Sequence, residues 1–264
     1  MTESVLERPA NTLTREPLQL LYERPGAPCW ELPAVLGAAY GGEIGFDEPT
    51  VYANFVASLD GVAALGPEYP SSGSTISGRE PADRFVMALL RVCADVVLIG
   101  GGTLRATPGH HWTPSHVWPE HASDFAAVRR SRGRSPEPQL VVVSASGDLP
   151  RQHPALKDGA IVATTVAGAR HLQGVLPSSA LLILGDGPEL AIEDVLAAVR
   201  SRGHDLVLSE GGPGLLGHLV RAHLLDELFL TVSPVLAGRA TTPRPGLIAG
   251  AELLPDRIEP AELQ

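Results

Sequence analysis

The sequence predicts an α/β fold with a mainly parallel central sheet and helices on both faces. From Thr50 onward, short apolar runs alternate with segments of helical periodicity. The run 96–99 is continuously apolar and rich in β-branched residues, as expected of a strand buried on both faces of a parallel sheet. A hydrophobic content of 44% is enough for a substantial core beneath such a sheet.

The predicted elements follow in chain order. Strands are expected at 51–57, 96–99, 139–143, 160–164, 181–184, 205–208 and 227–232. Helices are expected at 82–93, 190–200 and 215–220, with one more near 123–130 inside a polar, Pro- and His-rich excursion at 108–138. We expect residues 1–48 to be an N-terminal extension that packs on the core or on a partner subunit, and residues 49–264 to form one domain.

Composition excludes several classes of protein. The formal net charge is −10, and non-specific nucleic-acid binding requires a basic surface. The only cysteines are Cys29 and Cys93, too few for a disulfide framework. Neither a basic-then-apolar leader nor an apolar run of about 18 residues is present. We therefore expect a cytoplasmic protein that does not bind membranes.

The segment 209–214, Ser-Glu-Gly-Gly-Pro-Gly, joins a predicted strand to a predicted helix. Pro213 suits the first helical position because its missing N–H would have been unsatisfied there. The free N–H groups of that helix start favour a phosphate, and Glu210 at the strand end favours a ligand hydroxyl. Glycine turns at this position also occur for packing alone, and Glu210 could merely complement the helix dipole.

A second glycine turn, Gly100–Gly102 followed by Thr103, comes after the strand 96–99. Glycines allow the backbone to approach a ligand, and Thr103 can cap a short helix or bind phosphate. No Gly-Lys-Ser/Thr follows, so this is not a Walker loop. The glycine spacing also differs from the dinucleotide-binding fingerprint.

A third motif, Ser-Leu-Asp-Gly at 58–61, ends the first strand. Together with Leu-Leu-Arg at 89–91, the two glycine turns and the segment 226–234, it gives an order of motifs that resembles the riboflavin-pathway pyrimidine reductases. These are similar to the reductase half of the bifunctional deaminase–reductase and share the dihydrofolate reductase-like fold. The resemblance covers residues 50–238. Pro28-Cys29 lacks the second cysteine of a zinc deaminase, so that activity is not expected.

The resemblance implies NADPH-dependent reduction of a 5-phosphoribosylamino-pyrimidine to its ribitylamino form, by a homodimer with an antiparallel edge near the C-terminus of its sheet. The implied cofactor-binding residues are Val56, Ser58, Gly101, Gly102, Thr103, Ser144, Gly211, Gly212, Pro213, Gly214, Leu215 and Leu216. The implied substrate-binding residues are Asn54, Ser74, Thr75, Arg91 and Glu210. The catalytic candidates are Asp60 and Glu210.

Several of these residues have other interpretations. Asp60 could stabilise its own turn, and Arg91 could be a solvated residue at a helix C-terminus. The arginines at 129–134 could reach a cofactor 2′-phosphate or form a flexible basic loop. The histidines at 110, 111, 116 and 121 lack metal-ligand spacing, so we expect a solvated loop and no metal.

Two further functions stay open. Thr75 and the segment 105–107 depart from the family pattern, which favours a pterin or dihydrofolate substrate on the same fold. Residues 257–263 could supply only the first strand of the expected terminal hairpin, which would leave an unpaired edge. A non-catalytic NADP-binding regulatory protein is therefore the third hypothesis.

Overall fold

The computed structural model describes residues 17–22, 24–66, 69–239, 244–253 and 262. Its centre is one seven-stranded sheet in the order β5-β4-β3-β2-β6-β1-β7. All neighbouring strands pair in parallel. The strands are β1 Thr50–Ser58, β2 Val96–Gly100, β3 Gln139–Val143, β4 Ile161–Thr164, β5 Leu181–Ile183, β6 Leu206–Ser209 and β7 Glu227–Ser233. The mainly parallel α/β sheet is confirmed.

The predicted helices near 82–93, 123–130, 190–200 and 215–220 are present within two residues of their expected bounds. Several shorter helices, too brief for a periodic pattern to reveal them, lie between the strands. The helices are α1 Ala34–Tyr40, α2 Ser72–Ile76, α3 Pro81–Cys93, α4 Gly101–Ala106, α5 Pro114–Val117, α6 Ala122–Ser131, α7 Pro154–Lys157, α8 Val166–His171, α9 Ile192–Arg200 and α10 Pro213–Arg221.

A hydrophobic core covers each face of the sheet. On one face, α3 and α6 contribute buried side chains such as Leu89 and Phe125. On the other, α9 and α10 contribute Val195 and Leu219. Leu36, on α1 in the N-terminal region, is fully buried in the first of these cores. Helices therefore cover both faces of the parallel sheet, as predicted.

The strand order creates a crevice at one edge of the sheet. From β1 the chain skips one place to β2 and continues outward to β5. It then returns through α9, so that β6 fills the vacant place between β2 and β1. Parallel sheets bind ligands beyond the carboxyl ends of their strands, where the order of connection reverses. The ends of β1, β2 and β6 meet at that point.

The edge strand β7 pairs in parallel with β1 over Glu227–Ser233. The antiparallel strand expected at 257–263 lies, apart from residue 262, outside the described residues. Among the helices of the described part of the chain, none is long and apolar enough to cross a membrane.

Candidate active-site cleft

A cleft of about 1120 Å³ opens at the carboxyl ends of β1, β2 and β6, with α3 forming one wall. It brings together most of the residues that the sequence singled out. Those lining the cleft are Asn54, Val56, Ser74, Arg91, Gly102, Thr103, Glu210, Gly211, Gly212, Pro213, Gly214 and Leu215.

The two glycine turns lie against each other in the cleft. A Cβ atom on Gly212 would be 3.7 Å from the Oγ1 of Thr103. The N–H of Glu210 donates to the carbonyl of Leu98 at 3.0 Å, which ties the end of β6 to β2. A single extended ligand can therefore contact both turns.

The glycines of the turns divide into two kinds. A Cβ on Gly101 would lie 3.0 Å from Leu149 Cδ2, and a Cβ on Gly211 would lie 2.8 Å from Leu215 Cβ. These two glycines permit close helix packing. A Cβ on Gly102 or Gly214 would meet no atom of the described residues within 4 Å, although both glycines line the cleft. At those two positions the protein's own packing does not require glycine.

The start of α10 presents unpaired hydrogen-bond donors. Within the described residues, the main-chain N–H groups of Gly212 and Gly214 have no main-chain acceptor. Pro213 holds the first helical position, and the amides of Leu215 and Leu216 already donate to the Gly212 carbonyl. Free N–H groups and the positive end of a helix dipole suit a phosphate. This cradle fits the diphosphate of a dinucleotide.

Arg91 and Glu210 form an ion pair at the cleft wall. Arg91 Nε donates to Glu210 Oε1 at 2.9 Å, and Nη2 donates to Oε2 at 2.6 Å. The Arg91 side chain is only 1% exposed and that of Glu210 only 8%. The solvated interpretation of Arg91 is therefore wrong, because burial and a two-point contact hold it against Glu210.

The remaining donors of Arg91 are also occupied. Nη1 donates to the carbonyls of His111 and Thr113, and the second N–H of Nη2 faces His110 Nε2 at 3.1 Å. A guanidinium has five N–H groups, and all five have a partner here. In this arrangement Arg91 orients Glu210 and the segment 110–113, and keeps no donor for another acceptor.

Sequence reasoning missed Asp83, which lies on the same face of α3 as Arg91. Asp83, Met87 and Arg91 all line the cleft, and they stand at positions i, i+4 and i+8 of this helix. That spacing places side chains on one helical face, so charged residues there were a signal available from the sequence. Thr231 Oγ1 donates to Asp83 Oδ1 at 2.7 Å. Burial raises the pKa of Asp83, while hydrogen bonds from Thr231 and Ser77 partly oppose this.

The histidine segment is not a solvated loop throughout. His110 is partly buried and lines the cleft. Burial, followed by the charge of Arg91, lowers its pKa to about 3. His111 and His121 instead contact the carboxylates of Asp158 and Asp124, each at 2.9 Å. No group of three metal-binding side chains occurs among the residues that the structure describes.

Asp60 and Ser58 lie outside the cleft lining. Asp60 Oδ1 accepts from Ser58 Oγ at 2.6 Å and from the Ala237 amide at 2.9 Å, and Oδ2 accepts from the Gly238 amide at 2.9 Å. The hydrogen bond from Ser58 is the main cause that lowers the pKa of Asp60 to about 2. This placement favours the turn-stabilising interpretation over a catalytic one.

Four other predicted residues do not line the cleft. Thr75 is exposed on α2, whereas Leu216 is buried beside Phe55. Gly101 belongs to the glycine turn at 100–102 and packs against Ser144, where a Cβ would lie 3.3 Å from Ser144 Oγ. Ser144 and Gly101 therefore support this turn by packing against each other outside the cleft lining.

The arginines before β3 are at the wrong end of the sheet for a cofactor. Arg129 donates to the carbonyls of Val92 and Ala94 at 2.9 and 2.6 Å. Arg134 Nε lies 3.1 Å from Asp95 Oδ1, just before β2 begins. These contacts lie at the amino ends of the strands, whereas the cleft lies at the carboxyl ends. The hypothesis that this segment reaches a 2′-phosphate is wrong, and so is that of a flexible loop for the buried Arg129.

Comparison with known protein families and solved structures finds several that are similar to this chain. The family model described as the RibD C-terminal domain matches residues 49–254. A pyrimidine reductase-like protein from Corynebacterium diphtheriae has a similar structure, with a TM-score of 0.57 and 18% identity over 81% of this chain and 83% of that one.

Two further structures are similar. RibD of Acinetobacter baumannii gives a TM-score of 0.54 at 17% identity, over 85% of this chain but only 55% of that longer chain. The riboflavin biosynthesis reductase of Saccharomyces cerevisiae gives 0.51 at 16% identity, over 78% and 82%. No curated protein matches the chain.

Proposed function

Because the chain belongs to the family of RibD C-terminal domains, we propose that it is an NADPH-dependent reductase. The proposed reaction converts a 5-phosphoribosylamino-pyrimidine into its ribitylamino form. Membership of this family confirms the resemblance that the order of motifs indicated. The observation that carries the proposal is the cleft in which both glycine turns and the Arg91–Glu210 pair meet.

The cleft has room and donors for a dinucleotide. The open positions at Gly102 and Gly214 allow a ligand to approach the backbone closely. The free N–H groups of Gly212 and Gly214 would bind its phosphates. When bound, a nicotinamide cofactor supplies the hydride. The residues of the chain therefore bind and align the two ligands, which is where most of the acceleration is expected.

The same cleft contains cations suited to a phosphorylated substrate. Arg79 and Arg84 both line it. Arg79 has no ion pair within the described residues, and Arg84 uses Nη2 to donate to the Val117 carbonyl at 2.9 Å. Guanidinium groups bind phosphate through two parallel N–H bonds. Either arginine can thus hold the sugar phosphate of a substrate in the cleft.

Glu210 is the proposed acceptor for the substrate. Each carboxylate oxygen keeps a lone pair after its bond to Arg91, so Glu210 can accept from a substrate N–H or hydroxyl. Because Arg91 fixes the carboxylate at two points, this acceptor is positioned before the substrate arrives. Protonation of the product then needs only a hydroxyl or water nearby.

A second candidate function is reduction of a pterin such as dihydrofolate, and Asp83 favours it. Asp83 is a partly buried carboxyl group in the cleft, held by Thr231. A pterin presents an amino group beside a ring N–H, and these adjacent donors match the two oxygens of one carboxylate. In the pyrimidine substrate such a pair exists only where a ring N–H adjoins the sugar-bearing ribosylamino N–H, whereas the amino group of a pterin is unsubstituted and leaves that edge open to a carboxylate.

The test is a titration followed by an assay. Calorimetry with NADPH and NADH measures cofactor preference, and nicotinamide absorbance then measures turnover of the deaminated pyrimidine phosphate and of dihydrofolate. We expect tighter binding of NADPH and its oxidation only with the pyrimidine. Turnover of dihydrofolate alone would establish the second candidate. Binding without oxidation of either substrate would support a regulatory protein, and no binding would overturn all three hypotheses.

The variant Asp83→Asn distinguishes further between the pyrimidine and the pterin substrate. Asp60→Asn is the matched control outside the cleft. Loss of turnover in Asp83→Asn that is confined to dihydrofolate would assign Asp83 to the pterin ring. Equal effects on both substrates would give Asp83 a role common to both reactions.

We also propose a homodimer built on the edge of the sheet at β7. Its side chains Leu228, Leu230 and Val232 alternate along one face and are 42%, 41% and 57% exposed. An exposed apolar edge strand supports association with a second copy. Sedimentation equilibrium should give twice the chain mass, and a monomer at all concentrations would contradict the proposal.

A further inference from the structure

His110 has a fixed pattern of protonation in this structure. Its Nε2 lies 3.1 Å from Arg91 Nη2. A guanidinium nitrogen only donates hydrogen bonds, so Nε2 must accept and carries no proton. In a neutral imidazole the proton then lies on Nδ1.

The surroundings hold the ring in this form. The rings of Trp112 and His116 contact the His110 ring edge-on, with centroids 4.9 and 4.8 Å away. The His110 amide also donates to the Thr107 carbonyl at 3.1 Å. Burial and the neighbouring cation keep the imidazole neutral at physiological pH, with a pKa of about 3. The ring therefore has one orientation and one tautomer.

The Nδ1–H group of His110 is left without a partner among the described residues. His110 lines the cleft, and its Nε2 shares the Arg91 Nη2 atom with Glu210 Oε2. Because Nδ1 lies on the far side of the imidazole from the Nε2 that faces Arg91, its N–H points away from Arg91 and from Glu210. The neutral donor and the carboxylate acceptor therefore border the cleft at separate points.

We infer that His110 is a specificity-determining residue whose Nδ1–H donates to a carbonyl oxygen of the substrate ring, while Glu210 accepts from an N–H or hydroxyl at another point of the substrate. The inference rests on the proposed reductase function and names the group that recognises the ring. The carbonyl oxygens of a uracil-type ring are neutral acceptors that match this neutral donor. A phosphate does not fit as well, because the donor is neutral and the charge of Arg91 is already matched by Glu210.

Two substitutions test the roles of the two ring nitrogens of His110 separately. The amide of Asn reaches the position of Nδ1, so His110→Asn keeps a donor in the cleft but loses the acceptor for Arg91. The amide of Gln reaches the position of Nε2, so His110→Gln keeps that acceptor but loses the donor. Thermal melting of both variants shows whether each is folded before its kinetics are compared.

We expect His110→Gln to raise KM for the pyrimidine phosphate about tenfold or more, since an unmatched polar group on a bound ligand costs on the order of 1–3 kcal/mol. Its kcat and its Kd for NADPH should stay close to those of the wild type. His110→Asn should keep a KM near the wild-type value. An equal rise in KM in both variants, or a larger rise in His110→Asn, would overturn the inference and assign His110 a structural role through Arg91.

A second measurement does not depend on turnover. Two-dimensional ¹H–¹⁵N spectra of the histidine rings distinguish protonated from unprotonated nitrogens. We expect a protonated Nδ1 and an unprotonated Nε2 in His110 across neutral pH, and a shift of the Nδ1–H signal when the pyrimidine phosphate is added. A proton on Nε2, or no response to the bound pyrimidine, would contradict the inference. Correct tautomer and response without NADPH oxidation would leave it standing while the proposed reductase activity failed.

Discussion

Two buried arginines near the C-terminus of α3 show how differently one side chain can be used. Arg91 and Arg129 are each only 1% exposed. Arg91 faces the cleft and matches its charge with Glu210. Arg129 comes from α6, makes no ion pair in the described residues, and donates to the carbonyls of Arg91, Val92, Ala94 and Ser135.

The two arginines differ in role, since Arg91 belongs to the candidate active site and Arg129 stabilises the fold around it. Arg129 satisfies carbonyl groups that the end of a helix leaves unpaired, so its role is structural. Arg91 instead holds a carboxylate and a histidine that both border the cleft. We therefore expect substitutions at Arg91 or Glu210 to affect turnover directly. Substitutions at Arg129 should affect only the amount of folded protein.

The largest effect is expected from Glu210→Gln. It leaves the buried charge of Arg91 without its partner, so the free energy of unfolding should fall by about 3 kcal/mol. Turnover should fall about 100-fold or more, because one oxygen becomes an NH₂ donor that faces Arg91, and the remaining acceptor is no longer held at two points. Denaturant unfolding and steady-state kinetics measure the two effects.

The double variant Arg91→Met with Glu210→Leu is the control. Replacement of a buried ion pair by apolar groups is often neutral, so stability should recover. Turnover should not recover. If activity returned with stability, the ion pair would be only structural and would no longer differ from Arg129.

Arg129→Met should lower the free energy of unfolding by about 2–3 kcal/mol, because several buried carbonyls lose their donor. The kcat per folded molecule should stay unchanged, as measured after correction for the folded fraction. A drop in kcat comparable to that of Glu210→Gln would contradict the distinction between the two arginines.

A smaller contrast is expected within the glycine turns. Gly211→Ala places a Cβ 2.8 Å from Leu215 Cβ, and the resulting overpacking should cost about 1–2 kcal/mol of stability. In the part of the chain that the structure describes, the Cβ of Gly102→Ala meets no atom within 4 Å, so this variant should fold as well as the wild type or slightly better. Its Kd for NADPH should nevertheless rise about tenfold, because the methyl group occupies ligand space. Unchanged NADPH binding in Gly102→Ala would remove this turn from the cofactor site.

The smallest effect is expected at Asp60. Its folded-state pKa is about 2, below the ordinary value of 3.8, so the carboxylate contributes stability that is fully present above pH 4. Between about pH 4 and pH 2 the unfolded chain binds more protons, and this contribution is lost as the pH falls. Asp60→Asn should lack that part of the acid dependence and should keep turnover within about twofold. A large loss of turnover would restore Asp60 as a catalytic candidate.

Local patterns predicted the strands and both glycine turns, because periodicity and turn chemistry depend on neighbouring residues. They failed where the outcome depends on distant contacts. Nothing in the segment 129–134 shows which end of the sheet it reaches, so a contact with a cofactor and a flexible loop both stayed open for its arginines. The role of His110 depends on Arg91, which lies 19 positions earlier. Asp83 was within reach of prediction, since it shares a helical face with Arg91.

The central claim is that one nicotinamide dinucleotide contacts both glycine turns at the carboxyl ends of β2 and β6. Amide hydrogen exchange with and without NADPH tests it most directly. We predict slower exchange at Gly102, Thr103, Gly212 and Gly214 together, with the Arg129 segment unaffected. Protection of only one turn, or of neither, would contradict the claim.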